Sequence, residues 1–289
     1  MSIIENALKK AKREGRAVAA YADVPQTPTP NPRAVSGTSA TAKPISTIDW
    51  QRLAQAGFIS PDAKNILAVE EYRNIKRPLM QNAFGKASKG ITRPNLILVT
   101  SSVPGEGKTF TAINLALSIA SERDKQVLLI DGDVAKPSVA KALGITQAPG
   151  LMEYLENDQL AVADIMVATD LPGFRVIPAG QPHQYSTELL SSNKMATFVE
   201  ELSQRYDDRV VIFDSPPLLA ATQGEILAKW VGQIILVVEA EKTLQSTVLE
   251  SVEKLSSCDI VLALFNKARN HYNGSYGYGY GYGLYGAEG

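Results

Sequence analysis

The stretch from Leu96 to Ala120 reads LILVTSSVPGEGKTFTAINLALSIA and is the most informative part of the chain. An apolar run typical of a buried strand leads into a glycine-containing turn, and a segment of helical character follows. The residues Gly105–Thr109 fit a phosphate-binding loop, or P-loop, placed between a strand and a helix. The general pattern has glycine where Ser102 stands, so the match is imperfect. A turn without a ligand is the other interpretation, and the coincidence of strand, loop and helix disfavours it.

The loop residues suit phosphate binding for separate reasons. Gly105 and Gly107 let backbone N–H groups close around phosphate oxygens, and the new helix adds its positive N-terminal end. The side chain of Lys108 can reach the β- and γ-phosphates of a nucleotide, and the hydroxyl of Thr109 can ligate Mg²⁺. The predicted nucleotide-binding residues of the loop are Gly105, Glu106, Gly107, Lys108, Thr109 and Phe110.

Short apolar runs alternate with helical stretches from about residue 94 onward. The runs are apolar on both faces, as strands buried between helices should be. This alternation predicts an α/β fold, a P-loop NTPase whose mostly parallel sheet is flanked by helices on both faces. The predicted strands are 95–100, 126–131, 174–178, 209–214, 233–239 and 259–265, and the predicted helices are 108–122, 186–205 and 243–256.

The chain divides into four predicted parts. Residues 1–20 favour an amphipathic helix whose basic face is either solvated or docked on a partner or an anionic membrane surface. Residues 21–59 are rich in Pro, Ser and Thr, which is typical of a disordered linker. Residues 60–268 form the P-loop domain, and the Gly- and Tyr-rich residues 269–289 form a flexible tail.

The P-loop domain is predicted to begin with a helix over residues 60–82. Ser60 is a good N-cap residue, and Pro61 suits the first helical position. Pro78 is expected to end or kink this helix, because proline removes a backbone donor and clashes with the preceding turn.

Two further predicted strands end in carboxylates. Asp131 and Asp133 follow the run VLLI, and Asp214 follows VVIF. The carboxyl ends of parallel strands line the ligand crevice of an open sheet, and the P-loop lies at the same edge. We therefore expect all three acids to converge on a bound nucleotide and Mg²⁺, which prefers oxygen ligands. A carboxylate at one strand end could equally be a cap or turn residue.

The identity of the base is suggested by the last predicted strand. Asn266 and Lys267 at its end partly match the guanine-reading motif Asn-Lys-x-Asp. Position 269 is Arg, which lacks the acceptor that guanine's N1 and N2 hydrogens need. The sequence therefore favours ATP, and Asn266 is predicted to contact adenine.

Composition excludes several classes of protein. A net charge of −1 gives no bulk electrostatic preference for nucleic acid. The single cysteine, Cys258, rules out an internal disulfide and fits a reducing compartment. No apolar run approaches the roughly 18 residues that span a bilayer. We expect a cytoplasmic protein, peripheral at the inner face of the cell membrane when a partner holds it there.

The tail holds six of the eleven tyrosines in the chain, most of them separated by glycine. Taken alone, such a tract is either a sticky disordered segment or an end with no role. Glycine gives the backbone wide freedom, so the phenol hydroxyls are expected to be exposed and available to a site elsewhere.

At these motifs the chain resembles the bacterial tyrosine kinases, P-loop enzymes, over roughly residues 60–289. Within that family it looks like the cytoplasmic autokinases associated with exopolysaccharide chain-length control and exosortase-linked gene clusters. The family's first motif matches SSVPGEGKT, including its serine in place of glycine. Its second motif supplies two aspartates, and its third, four apolar residues followed by Asp-Ser-Pro-Pro, matches VVIFDSPP. The matching acids are Asp131, Asp133 and Asp214.

Two family motifs are only partly kept. The second motif continues with an arginine where this chain has Ala135, followed by Lys136. A Glu-x-x-Arg-x-x-Arg helix that the family uses for ring assembly is similar to Glu70, Arg73 and Lys76, with lysine replacing the last arginine.

The resemblance implies an ATP-dependent tyrosine autokinase that uses Mg²⁺. It would phosphorylate its own tail, in trans within a ring-like homo-oligomer, and so regulate exopolysaccharide polymerisation and export. The implied catalytic residues are Lys108, Asp131 and Asp133, with Asp131 accepting the phenol proton. The implied metal ligands, direct or through water, are Thr109, Asp133 and Asp214. The implied phosphoacceptors are Tyr272, Tyr276, Tyr278, Tyr280, Tyr282 and Tyr285. The residues by themselves leave the roles of the three acids interchangeable.

The family also implies partners. A cytoplasmic segment of a membrane polysaccharide co-polymerase would activate the kinase in trans, and a cognate tyrosine phosphatase would reverse it. The N-terminal helix and the face around Glu70–Arg77 are the predicted contacts with the activator.

Two other functions fit the same motifs. The P-loop ATPases of chromosome partitioning and division-site placement act as switches, but they carry an early lysine where this chain has Val103, and they lack a tyrosine tail. A nucleotide-binding scaffold of polysaccharide assembly with weak or no catalysis is the third interpretation, and Ala135 is the residue that favours it.

Overall fold

The computed structural model of the chain describes residues 45–61, 66–147, 149–204 and 208–268. The predictions for the N-terminal helix 1–20, for most of the linker and for the tail 269–289 lie outside the described residues.

Within the described ranges, seven strands form one sheet in the order β3-β4-β2-β5-β1-β6-β7. Neighbouring strands run parallel except for the two-residue β3, which pairs antiparallel with β4 at one edge. The strands are β1 (Leu96–Ser101), β2 (Gln126–Asp131), β3 (Val167–Ala168), β4 (Phe174–Ile177), β5 (Arg209–Asp214), β6 (Gln233–Glu239) and β7 (Ile260–Asn266). The six predicted strands are confirmed to within one residue at either end, and β3 is too short to leave a sequence pattern.

The helices lie on both faces of this sheet. They are α1 (Trp50–Gln55), α2 (Ile66–Phe84), α3 (Lys108–Ala120), α4 (Val139–Leu143), α5 (Leu151–Glu156), α6 (Val162–Ile165), α7 (Ser186–Leu190), α8 (Asn193–Gln204), α9 (Gln223–Ala228) and α10 (Gln245–Lys254). The helix predicted over 186–205 is two helices, because the Ser192 hydroxyl accepts the Met195 N–H and starts α8 afresh. No helix in the described part of the chain is long and apolar enough to cross a bilayer.

Two apolar layers fill the space between sheet and helices, because successive strand residues point to opposite faces. On one face, Leu98 and Phe213 pack with Phe198 of α8. On the other, Ile97 and Ile212 pack with helices α1 to α3. Both layers consist of side chains that are almost wholly buried, which confirms the predicted α/β architecture.

Pro78 was expected to end or kink its helix, and helix α2 does not end there. It continues to Phe84 with Pro78 inside it. Leu79 and Ala83 beyond the proline are buried, and Leu79 belongs to the apolar layer against the sheet. This burial offsets the cost of about 3 kcal/mol for an internal proline. At the other end, Pro61 lies in a turn and the described helix begins at Ile66.

The packed domain also begins earlier than residue 60. Residues 45–59, assigned to the linker by composition, contain α1, and Ile48 and Leu53 are buried. The carboxylate of Asp170 accepts hydrogen bonds from the Ile48 N–H and the Trp50 indole N–H, both at 3.1 Å. The two apolar anchors are too few to produce a periodic signal next to a Pro- and Thr-rich stretch.

The structure separates the three residues predicted for oligomerisation. Glu70 and Arg73 pair with each other on the exposed face of α2. Lys76 instead points inward and is 6% exposed. Its ammonium group donates to the Ser118 carbonyl at 2.7 Å and lies 2.6 Å from the Glu122 carboxylate. Lys76 therefore joins α2 to the C-terminal end of α3, a position where a cation is favoured, and its role in oligomerisation stays a prediction.

We expect Lys76→Ala to lower the free energy of unfolding by about 1.5–3 kcal/mol, because a charged hydrogen bond and a partly buried ion pair are lost. The matched change Arg73→Ala removes an exposed pair on the same helix and should cost under about 1 kcal/mol. Urea denaturation over a dilution series measures both. If the Lys76 variant keeps its stability but loses self-association, the main role of this residue is a contact between subunits.

Candidate active site

The candidate site lies at the carboxyl ends of the central strands. The P-loop follows β1, which lies between β5 and β6. Asp131 at the end of β2 is in register with Asp214 at the end of β5, and Asp214 is in register with Val99 of β1. Parallel pairing therefore brings the three strand ends together at one edge of the sheet, where open α/β sheets bind ligands.

Two glycines give the P-loop its shape. Gly105 and Gly107 have φ angles of 93° and 97°, in the left-handed region that favours glycine. At Gly107 a Cβ atom would also lie 2.1 Å from the Asn266 amide nitrogen. Lys108 begins α3 immediately after Gly107, so the loop leads into the N-terminus of a thirteen-residue helix, which suits an anion.

The side chain of Glu106 points into the protein. It is buried, and its carboxylate accepts hydrogen bonds from the Val103 N–H at 2.8 Å and from the Thr243 hydroxyl. Glu106 therefore ties the loop to the segment after β6. Because the carboxylate is engaged inside the protein, the predicted contact of Glu106 with the nucleotide would have to come from its backbone.

Asn266 and Lys267, at the end of β7, also hold the loop. The Asn266 amide donates to the Glu106 carbonyl at 2.8 Å, and the Lys267 ammonium donates to the Gly105 carbonyl at 2.7 Å. The sequence did not predict this role for either residue. Both residues, with Phe110, line a cavity of about 650 Å³ between α2 and β7, beside the loop and large enough for a nucleobase.

The P-loop side chains meet the strand-end acids directly. Lys108 Nζ lies 2.9 Å from Asp133 Oδ2, and the Thr109 hydroxyl donates to Asp214 Oδ2 at 2.6 Å. Burial lowers the pKa of Lys108, but the Asp214 and Asp133 carboxylates raise it by more, so its pKa lies above the ordinary lysine value. Lys108 therefore remains a cation next to two acids.

Asp131 is fully buried and organises the loop after β2. Its Oδ2 accepts the N–H groups of Ser138 and Val139, both at 3.0 Å, and its Oδ1 accepts the Asp133 N–H at 3.2 Å. Burial raises the pKa of Asp131 to about 6, although the N–H donors act against this rise. The carboxylate thus fixes the backbone that carries Asp133 and Ser138.

Asp214 has the fewest hydrogen bonds of the three acids. It is fully buried, and its Oδ1 atom has no hydrogen-bond partner among the described residues. Burial raises the pKa of Asp214 to about 7, against the lowering effect of Lys108. A buried carboxylate oxygen without a donor is suited to a cation or to water bound to a cation.

These residues fit Mg²⁺ bound together with a nucleotide. No three carboxylate, imidazole or thiol groups of the described residues converge closely enough to hold a metal ion on their own. Mg²⁺ commonly keeps waters and uses one or two carboxylates plus substrate phosphates. Thr109 and the free oxygen of Asp214 provide that minimal set. Asp133 lies nearby and accepts a hydrogen bond from Lys108.

Ser138 also lies at the candidate site, although no sequence motif predicted it. Its Oγ lies 3.0 Å from Thr109 Oγ1. Nothing in the run DVAKPS shows that this serine turns back towards the P-loop, because the direction depends on the hydrogen bonds to Asp131. Ala135 and Lys136 in the same loop are exposed. The tail tyrosines and Arg269 lie outside the described residues.

The pKa of Asp214 predicts how the ligand-free protein responds to pH. Its pKa is about 7 when folded and about 3.9 when unfolded. As pH rises, the carboxyl ionises in the unfolded chain from about pH 4 but in the folded chain only from about pH 7. The folded state therefore loses stability between these two pH values, with no loss below about pH 4 and the full loss above about pH 7. We expect Asp214→Asn to unfold at higher urea concentration than the native protein at pH 8, by a margin that shrinks towards pH 4.5.

Asp158→Asn, at an exposed carboxylate, is the control, and its difference from the native protein should hardly vary between pH 5 and 8. A margin for Asp214→Asn that is the same at every pH would contradict the buried charge.

Known proteins resemble this chain over the region that contains the candidate site. Residues 95–267 match the family model described as the AAA domain, a P-loop fold that implies nucleotide binding. The chain is 33% identical over 208 residues to the tyrosine-protein kinase ptk of Acinetobacter johnsonii, covering 72% of this chain and 26% of that protein. It is 31% identical over 225 residues to the tyrosine-protein kinase YwqD of Bacillus subtilis, covering 77% of this chain and 91% of that protein.

A solved structure agrees with these relatives. The kinase domain of the Escherichia coli tyrosine kinase ETK aligns with a TM-score of 0.63 and 26% identity, over 82% of this chain and 94% of that domain. The chain thus spans about a quarter of the Acinetobacter kinase but nearly all of the Bacillus kinase. The matched region contains the P-loop and all three strand-end acids, and the chain belongs to the bacterial tyrosine-protein kinases, within the AAA-domain family.

Proposed function

We propose that this chain is an ATP-dependent protein-tyrosine autokinase that phosphorylates the tyrosines of its own tail. The observation that carries the proposal is the convergence of Lys108 with Asp133 and of Thr109 with Asp214 at the P-loop. The names of the relatives, tyrosine-protein kinases, supply the reaction class. Phosphoryl transfer requires positioning and charge stabilisation rather than elaborate chemistry, and this site provides both.

The nucleotide would lie along the P-loop. Backbone N–H groups of Gly105–Lys108 and the N-terminus of α3 face the phosphates, and Lys108 neutralises charge on the transferred group. The cavity bounded by Phe110 and Asn266 would receive adenine. Thr109 and Asp214, with Asp133 nearby, would hold Mg²⁺, which neutralises phosphate charge when bound.

In the transfer step the tyrosine oxygen forms a bond to the γ-phosphorus while the bond to the β-phosphate oxygen breaks, releasing ADP. The phenol proton must go to a base, because its ordinary pKa is about 10. We assign this proton to Asp131, whose raised pKa of about 6 makes it a stronger base than an ordinary carboxylate. Its Oδ1 accepts a single N–H and retains a lone pair.

The tail supplies the substrate in this proposal. Glycine on either side of most tyrosines lets each phenol enter the site with little strain from its neighbours. The last eighteen residues, fully extended, reach about 60 Å, enough to serve a neighbouring subunit of a ring-like homo-oligomer. Each phosphate adds about −1.5 to −2 charges, and several on one tail would drive the subunits apart.

Regulation of exopolysaccharide polymerisation and export would follow from that assembly cycle. We propose that a cytoplasmic segment of a membrane polysaccharide co-polymerase activates the kinase and holds it at the membrane, and that a tyrosine phosphatase resets it. Glu70, Arg73 and Arg77, which are all exposed on α2, provide a charged face for such contacts.

The test is incubation of the pure chain with ATP and Mg²⁺, followed by intact and peptide mass measurement. We expect tail peptides to gain phosphate in steps of about 80 Da, since each transfer adds one phosphoryl group. Lys108→Met should lower the rate by at least about a hundredfold. Lys141→Met, an exposed lysine on α4, should leave it unchanged.

Two outcomes would replace the proposal. Release of ADP with no modified peptide would indicate an ATPase switch, and tight nucleotide binding without turnover would indicate a scaffold. Light scattering on the fully phosphorylated tail tests the assembly step separately, because an unchanged oligomer would contradict charge repulsion.

A further inference from the structure

The hydroxyl of Ser138 faces the P-loop rather than its own helix. Ser138 precedes α4 as the N-cap residue, a position where serine commonly accepts a hydrogen bond from the first turn. Here its side chain makes no capping bond. The Asp131 carboxylate takes over this task by accepting the N–H groups of Ser138 and Val139. The serine hydroxyl is therefore left to meet Thr109 Oγ1 at 3.0 Å.

The direction of the proton in this contact follows from the neighbouring bond. Thr109 has one hydroxyl proton, which it donates to Asp214 Oδ2 at 2.6 Å. Ser138 must then donate its own proton to Thr109 Oγ1. That bond occupies one of the two lone pairs of the threonine hydroxyl, and the second remains available to a metal ion. Ser138 Oγ in the ligand-free chain thus lies next to the threonine oxygen that would bind the cation.

We propose that Ser138 Oγ is a further ligand of the Mg²⁺ that accompanies the nucleotide, next to Thr109. The inference rests on the proposed function, because it requires a nucleotide-bound metal. It adds a residue that neither the motifs nor the family resemblance assigns to the metal.

The spacing of the two hydroxyls fits adjacent positions of an octahedron. Mg²⁺ binds oxygen at 2.0–2.1 Å, so two neighbouring ligands in an octahedral shell are about 2.9 Å apart. The Ser138 and Thr109 oxygens are 3.0 Å apart without any movement. The free Oδ1 of Asp214 offers a third oxygen, direct or through water, beside the same threonine.

Contacts with buried groups fix the position of Ser138. Its backbone N–H is held by Asp131, which is fully buried at the end of β2. Pro137 before it restricts the approach of the chain, because the proline ring fixes φ. The hydroxyl is therefore held in place by a residue of the central sheet, and a ligand in a fixed position suits the strict geometry of Mg²⁺.

The test measures metal binding, not catalysis. Calorimetric titration of Mg²⁺ into the protein saturated with ADP should show about tenfold weaker binding for Ser138→Ala, a loss at the lower end of those seen for metal-site substitutions. Binding of metal-free ADP should be unchanged. Ser138→Thr keeps the oxygen and should retain most of the Mg²⁺ affinity. Ser121→Ala, at a hydroxyl that donates to the Ser118 carbonyl at the far end of α3, is the matched control.

A change of metal preference separates a ligand from a residue that only supports Thr109. Ser138→Cys, made in a Cys258→Ala background, should bind Mg²⁺ more weakly and Cd²⁺ at least about tenfold more tightly than the serine protein, because thiolate is a soft ligand. Equal Mg²⁺ affinity of the native and Ser138→Ala proteins in the ADP complex would overturn the inference. Loss of Mg²⁺ affinity without gain of Cd²⁺ affinity would also overturn it, leaving a positioning role.

The failure of the proposed function would look different. A native protein that binds no nucleotide at all would remove the proposed function and the metal ligand with it. Thermal unfolding of each variant without ligand checks that the fold is intact. If the native protein binds ADP and Mg²⁺ but never forms phosphotyrosine, the proposed function fails, while the Mg²⁺ titration still decides whether Ser138 is a metal ligand.

Discussion

The buried carboxylate of Asp131 is the constraint on which the arrangement of the site depends. It sits at the last residue of β2, opposite Asp214 in the sheet register, and accepts three backbone N–H groups from the loop that follows. Those bonds set the path of the chain from Asp133 to Val139. Asp133 consequently meets Lys108, and Ser138 meets Thr109, so one carboxylate places two different side chains on the P-loop.

The same region concentrates unfavourable charge. Three carboxylates and one ammonium group share a nearly solvent-free edge of the sheet, and the pKa values of two of the acids are raised to about 6 and about 7. Burying charge that is incompletely paired lowers the stability of the folded chain. A cation and a polyphosphate would complete the pairing, so ligand binding and folding stability are linked at this edge. The candidate site thus lowers the folding stability of the ligand-free chain, as many active sites do.

The architecture followed from the sequence because its signals are local and redundant. Strands apolar on both faces, such as β5 and β6, are hard to mistake, and acids at their ends must share an edge once the strands run parallel. Directions of side chains were not predictable in the same way. The ring-assembly motif does not show that Lys76 turns towards the end of α3. Likewise, the sequence around Ser138 does not show that its hydroxyl turns away from the helix that follows it. Glu106 and Asn266 were predicted to contact the nucleotide, and the sequence did not show that their side chains also hold the loop. Most of these contacts involve partners distant in sequence, such as Ser118 for Lys76 and Thr243 for Glu106, and motif spacing does not encode them.

The attachment of β7 to the P-loop has a mechanical meaning. The side chains of Asn266 and Lys267 donate hydrogen bonds to the carbonyls of Glu106 and Gly105, and in the sequence the first tyrosine of the tail, Tyr272, follows Lys267 by five residues. The end of β7 and the loop are therefore coupled, because a displacement of Asn266 or Lys267 would shift the carbonyls of Glu106 and Gly105 with it. The geometry of the loop proposed to bind the phosphates thus depends on the position of the last strand of the sheet.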